Sequence, residues 1–289
     1  MCQSSDSFIG QRDTRSTLRE MKSVDVPQLD PDLLGGMTEP RRARALGACQ
    51  AEAVELSPGE WRPDLRSLDT AGFGLLVLSG VLCRRVVQNE CYGAELIGPG
   101  DLMRPWDQIR DWSSIPVESS WQVLQPARLA ILDSDFARRA SPYPEVASEL
   151  MRRALVRSRY LTILVAIISQ RRIETRLTML FWHLADRFGT LRGEWVEIPV
   201  PLTHSTLAEL VAARRPSVTT ALSRLHERGV LSRERSGWRL RGTVPPEMSR
   251  TEQANASGRI LRPSISQDWA LELADPTSSG KDAPDAYLN

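Results

Sequence analysis

Apolar positions along this chain follow two different periods, and the change between them falls near Pro142. From about Arg41 to Ser141 the apolar residues come in short runs punctuated by Gly and Pro. These runs are Gly72-Phe-Gly-Leu-Leu-Val-Leu-Ser-Gly80, Val81-Leu-Cys-Arg-Arg-Val-Val87, Cys91-Tyr-Gly-Ala-Glu-Leu-Ile97, Trp121-Gln-Val-Leu124 and Arg128-Leu-Ala-Ile-Leu132. Gln88-Asn-Glu90 and Gly98-Pro-Gly-Asp101 supply turn chemistry between them. Short strands separated by such residues predict an all-β sandwich or roll.

Beyond Pro142 and Pro144 the pattern becomes helical. Glu145 to Arg172 contains neither Gly nor Pro and consists mostly of helix formers. Ala147, Leu150, Ala154, Leu161, Leu164 and Ile168 fall on alternating three- and four-residue steps, with Arg157 interrupting at one of them. Such a seam predicts a dimer interface along Ala147, Leu150, Ala154, Arg157, Leu161, Leu164 and Ile168. Val156, Tyr160, Ile163 and Ile167, on a neighbouring face, suit packing against the helix's own domain. Ile173 to Phe188 forms a second amphipathic helix, with Gly189 as its expected C-terminal cap. Trp195-Val-Glu-Ile-Pro-Val200 reads as an edge strand, because its proline keeps it off a central position.

The segment Leu202 to Leu240 is the most informative. Thr203 is a good N-cap for a helix from Ser205 to Val211, with Leu207, Leu210 and Val211 turned inward. Ala212-Ala-Arg-Arg215 is a tight connection to a second helix, whose first turn holds Pro216. That helix buries Val218, Leu222 and Leu225 and stops at Gly229. Arg233 to Leu240 then gives two short strands around Ser236-Gly237. Two helices joined by a short turn and followed by a β wing make a winged helix-turn-helix.

The chain as a whole therefore reads as α+β. The expected organisation is a mostly disordered segment at 1–40, a β-roll at 41–143 and a dimerisation helix at 144–172. A winged helix-turn-helix domain at 173–245 and a disordered tail at 246–289 complete it. Both ends are polar, with little periodicity, and cannot bury enough apolar surface to offset chain entropy. Net charge changes the picture only locally. The 289 residues carry 37 basic and 36 acidic side chains, so no global field points to nucleic acid or membrane. Between Ser205 and Arg241, however, eight arginines face three acids, a net of +5. Arginine's fork matches phosphates and guanine edges. No apolar run approaches a membrane span and the start has no signal pattern, so a cytoplasmic location is expected.

The stretch Leu202-Thr-His-Ser-Thr-Leu-Ala-Glu-Leu-Val-Ala-Ala-Arg-Arg-Pro-Ser-Val-Thr-Thr-Ala-Leu-Ser-Arg-Leu-His-Glu-Arg-Gly-Val-Leu231 resembles the DNA-binding domain of the Crp/Fnr family of bacterial transcription regulators. More loosely, Leu78-Ser-Gly80, Gly98-Pro-Gly-Asp101 and the long helix resemble that family's cyclic-nucleotide-binding-like β-roll sensor and dimer helix. The resemblance implies a homodimeric, non-enzymatic regulator that places two recognition helices in successive major grooves of an inverted repeat. RNA polymerase is a further candidate partner. Arg215 matches the arginine that opens the family's recognition helix and reads a base edge; Ser217, Thr219 and Thr220 share its exposed face. Thr203, His204 and Ser205 match positions that grip phosphate. Arg214, Pro216, Arg224, Arg233 and Arg235 complete the candidate DNA-binding set. Pro216 and Thr220 depart from the glutamate and second arginine that many relatives carry, which implies a different preferred sequence. Ala212 stands at the usual turn glycine, which implies a turn that is either slightly strained or differently shaped.

The sensor half lacks the family's ligand chemistry. Gly100-Asp-Leu-Met-Arg-Pro-Trp-Asp107 and Val117-Glu-Ser-Ser-Trp121 replace the Gly-Glu pair and the phosphate-binding arginine. Cyclic AMP and cyclic GMP are thus not expected, no cofactor is expected, and the effector is unassigned. His183, His204 and His226 all lie in the helical half, while Cys2, Cys49, Cys83 and Cys91 are scattered, so no metal or Fe–S set is expected. Cys83 and Cys91 share one expected hairpin, which leaves a redox pair open beside buried structural thiols. Trp106, Trp112 and Trp121 either pack the core or wall an apolar ligand site. No phosphate loop, nucleophile elbow or HExxH motif is present. A constitutive regulator, or a protein-docking module with the roll as scaffold, are the alternative readings.

Overall fold

The computed structural model describes residues 19–63, 69, 71–88, 91–108 and 118–241. The tail expected from residue 246, Trp112 and residues 1–18 lie outside the described residues. Two sheets joined by helices make a mixed α and β architecture. The first sheet contains β1 (Arg19–Asp25), β2 (Gln50–Leu56), β3 (Gly59–Trp61), β4 (Gly74–Gln88), β5 (Cys91–Ile97), β6 (Leu102–Met103) and β7 (Glu118–Leu132). Its main path runs β1-β2-β7-β4-β5, with β3 on β7 and β6 on β4.

The runs expected as several short strands are partly fused. β4 and β7 are each 15 residues long and pair antiparallel along most of their length. Their register shifts three times between Val77 and Leu82, which lets the ribbon bend around the core. Gly80 sits at the bend with φ +85, and a Cβ there would lie 2.3 Å from the Pro126 carbonyl oxygen. Inside the roll, Trp61 and Trp121 meet edge to face at 5.7 Å, over Leu82, Ile97, Val123 and Leu129. Trp121 is therefore core.

The chain is ordered well upstream of residue 41, contrary to the sequence expectation. β1 adds to the sheet edge beside β2, followed by helix α1 (Val26–Leu29), a 3-10 turn (Pro31–Leu34) and α2 (Glu39–Leu46). Val26, Leu33 and Leu34 are fully buried against Leu132, Phe136 and Leu150. Asp30 receives a bidentate ion pair from the buried Arg153, and Arg41 bonds Glu145 at 2.6 Å. These anchors are few and aperiodic, and their partners lie about a hundred residues away, so local pattern could not reveal them.

After α3 (Ser134–Ala140) comes the long helix α4 (Pro144–Ile168). Its expected seam mixes two faces. Leu150 is buried in the core beneath the N-terminal segment, and Leu164 packs against the C-terminal core. Arg157 reaches into the roll, bonding Glu95 at 2.6 Å and the Leu102 carbonyl at 3.1 Å. Ala147, Ala154 and Leu161 are exposed, and so are Met151, Leu155 and Val165. Ala147, Met151, Ala154, Ser158, Leu161, Val165 and Ile168 also alternate by four and three residues, so sequence spacing alone could not choose between the two phases.

Helix α5 (Ile173–Phe188) leads into β8 (Thr190–Arg192) and β9 (Trp195–Ile198). Gly189 ends α5 in an extended rather than a left-handed conformation; its lack of a side chain is required because a Cβ would lie 2.4 Å from the Ala185 oxygen. The second sheet runs β10-β11-β9-β8, with β10 (Leu231–Arg233) and β11 (Trp238–Arg241) following two further helices. β9 is therefore an inner strand, not an edge. Pro199 lies just past its paired span and removes no ladder bond. Among the described residues no helix is long and apolar enough to cross a membrane.

Candidate nucleic-acid interface

The two helices of the C-terminal module are α6 (His204–Leu210) and α7 (Arg215–Glu227). The Thr203 hydroxyl accepts the Thr206 amide at 3.1 Å and so caps α6. α6 buries Thr206, Leu207, Ala208 and Leu210, and α7 buries Val218, Ala221, Leu222 and Leu225. The apolar ones among these join Phe181, Ile198, Trp238 and Leu240 in one core. Gly229, at φ +68, closes α7 in a Schellman arrangement: its N–H bonds the His226 oxygen and the Val230 N–H bonds the Leu225 oxygen.

Between the helices, Ala212 adopts φ +48 and is the one non-glycine with positive φ among the described residues. Of the two outcomes expected from the missing glycine, strain is the one present there. Arg176 of α5 holds this turn, donating to the Val211 and Ala212 carbonyls at 3.0 and 3.1 Å and to the Gln170 carbonyl at 2.7 Å. Sequence reading missed Arg176, because its three acceptors are backbone atoms and leave no residue-type signal. Trp238 is similar, its indole N–H donating to the Leu202 carbonyl at 3.2 Å.

With its core satisfied, the module presents an outer surface built from three pieces. Thr203 and Ser205 are exposed at the start of α6; Arg214, Arg215, Pro216, Ser217, Thr219, Thr220 and Arg224 are exposed along α7; Arg233 and Arg235 are exposed on the β10–β11 wing. His204 is half-buried and ties the pieces together. Its Nδ1 lies 3.0 Å from the Thr219 hydroxyl, and its ring sits 6.3 Å from Trp238. Burial, followed by the charges of Arg233 and Arg215, pulls the His204 pKa below its usual value. Arg233 in turn lies 5.9 Å over the Trp238 ring.

Charge on this module is sorted by position. Arg224 and Arg228 pair with Glu174 at 2.9 and 3.7 Å, Arg239 pairs with Glu197 at 2.8 Å, and Arg241 pairs with Glu194 at 3.0 Å. Among the described residues, Arg214, Arg215, Arg233 and Arg235 form no ion pair. The uncompensated cations thus lie at the start of α7 and on the wing.

The roll touches this module directly. Val81, Cys83 and Leu96 belong to the same core as the two helices, and Arg85 of β4 pairs with Glu209 of α6 at 2.5 Å. Arg187 of α5 bonds Asp101 at 2.5 Å and the Leu96 oxygen at 2.9 Å.

Residues 175–258 match the profile of the Crp-like helix-turn-helix domain. The C-terminal module is a Crp-like helix-turn-helix domain. Over the longer chain the fold is similar to that of two solved structures. A cyclic nucleotide-binding domain containing protein from Listeria monocytogenes EGD-e is similar in structure at TM-score 0.53 and 18% identity, covering 65% of this chain and 88% of its own. A CooA mutant from Carboxydothermus hydrogenoformans is similar at TM-score 0.51 and 13% identity, covering 65% and 82%. Among curated proteins, none matches the sequence significantly.

The Crp-like frame also locates the other sequence candidates. Asp101 accepts the Gly98 amide at 2.8 Å as well as the Arg187 guanidinium. Cys83 pairs with Leu96 and Cys91 with Gln88, so the two cysteines occupy different rungs of one ladder, too far apart for a disulfide in this register. Burial pushes the Cys49 thiol up to about 11 and the Cys83 thiol up to about 12, which disfavours the thiolate at both. Among the described residues no cluster of three His, Cys, Asp or Glu side chains could hold a metal.

Proposed function

We propose that this chain is a sequence-specific DNA-binding transcription regulator that acts as a homodimer on inverted-repeat DNA. The observation that carries this reading is the exposure of four arginines without ion pairs beside the exposed hydroxyls of α6 and α7. A helix presenting Arg215, Ser217, Thr219 and Thr220 to a major groove reads base edges, while Thr203, Ser205, Arg233 and Arg235 meet phosphates on its flank. The exposed apolar line Met151, Leu155, Leu161 and Val165 on α4 supports pairing with a second copy.

The roll receives an input other than a cyclic nucleotide. Asp101 is committed to Arg187 and to Gly98, and the Trp61–Trp121 pair occupies the interior between the strands. Because the roll shares its core with α6 and α7, a change in the roll shifts the placement of the recognition helices. RNA polymerase is the expected partner for output, and the cytoplasm the expected location.

The test is selection from a random duplex library, followed by titration of wild type and Arg215→Ala. An inverted repeat with half-sites about one helical turn apart, lost in the variant, supports the reading. Binding that is blind to sequence in both proteins overturns it.

A further inference from the structure

A groove of about 700 Å³ lies between α7 and the residues that open α5. Arg171, Arg172, Ile173 and Glu174 form one wall, at the junction of α4 and α5; Ser217, Thr220, Ala221 and Arg224 of α7 form the other. Arg171 and Arg172 are exposed and, among the described residues, pair with no carboxylate. The one acid in the lining, Glu174, is already matched by Arg224 and Arg228. The open charge of the groove is therefore the Arg171–Arg172 pair.

We propose that this groove holds the second sugar-phosphate strand of the bound duplex, with Arg171 and Arg172 gripping its phosphates. The inference rests on the reading that α7 enters a major groove. A helix with its side chains is roughly 10–12 Å across, and the B-DNA major groove is roughly 12 Å wide, so a helix lying in it is flanked closely by both backbones. The α6 start and the wing attend to one backbone. The other must run along the opposite flank of α7, where Arg171 and Arg172 line its path. Arginine suits this position because its fork binds phosphate oxygens in pairs. These contacts carry no base information, so they set affinity and register while Arg215 sets preference.

The experiment compares wild type, R171A/R172A and R171K/R172K on the duplex selected by wild type, across a salt series. Each phosphate contact contributes about 0.9 to the slope of log affinity against log salt, so four arginines in a dimer contribute about 3.6. The expected result is a slope shallower by about 1.8 or more in R171A/R172A, with the selected sequence unchanged and the slope largely restored in R171K/R172K. A smaller change, or an altered sequence preference, overturns the proposal. Failure of wild type to select any sequence would instead refute the underlying DNA-binding reading. Thermal melting of all three proteins separates lost contacts from lost folding.

Discussion

Replacing Ala212 by glycine isolates the conformational cost of the turn that sets α7 against α6. Ala212 is held at φ +48, with its methyl group exposed and its oxygen bonded by Arg176. A left-handed L-residue costs about 1–2 kcal/mol, whereas a glycine adds about 0.4–1 kcal/mol of unfolded-state freedom that folding must remove. No buried contact is lost with the methyl group, so Ala212→Gly should stabilise the protein by about 0.5–1 kcal/mol. Gly229 provides the mirror experiment. It sits at φ +68 with nothing within 4 Å of where a Cβ would stand, so Gly229→Ala should destabilise by a similar amount, about 0.5–1 kcal/mol, through conformation alone. Urea denaturation followed by far-UV circular dichroism reads both: the midpoint should rise for Ala212→Gly and fall for Gly229→Ala, at unchanged slope. An Ala212→Gly midpoint at or below wild type, with Gly229→Ala lowered, would refute the assignment of strain to Ala212.

Other consequences follow from packing and charge. Leu150→Ala should lose about 2–5 kcal/mol of stability in denaturation, whereas Leu155→Glu and Val165→Glu should leave stability nearly intact and yield monomers by sedimentation. Equal effects at Leu150 and Val165 would invert the face assignment. Arg85→Ala and Glu209→Ala should be non-additive in a double-mutant cycle, coupled by about 1 kcal/mol, because the pair joins the roll to α6. His183 is buried beside Tyr160 and Arg187, which pulls its pKa down to about 4. The unfolded imidazole titrates near about 6.5 and so takes up protons first; stability is full above that pH and falls as pH drops from about 6.5 toward 4, by about 3 kcal/mol in all. His183→Phe should remove that part of the acid sensitivity, and an unchanged pH profile would count against a buried neutral imidazole.

The helix-turn-helix was legible in the sequence because each of its signals is local. Thr203 as a cap, Pro216 in a first helical turn, Gly229 at a helix end and the buried spacing of Val218, Leu222 and Leu225 all act within one or two turns of the backbone that they direct. The departure at Ala212 was visible only through the resemblance, and the structure decided between strain and a different turn by placing it at φ +48. The segment from Arg19 to Leu46 was not readable, because Val26, Leu33, Leu34 and Asp30 find their partners on α4 and the sheet, far along the chain. The seam of α4 was half readable: heptad spacing fits two phases equally. Only burial of Leu150 and the pull of Glu95 on Arg157 decided which face turns inward. Likewise, sequence counted eight arginines on and around α7, but only the folded positions of Glu174, Glu194 and Glu197 decided which of them stay free. Short-range geometry is written into neighbouring residues. Which faces are covered and which charges are cancelled depends on segments brought together from a distance, and tertiary structure alone decides that.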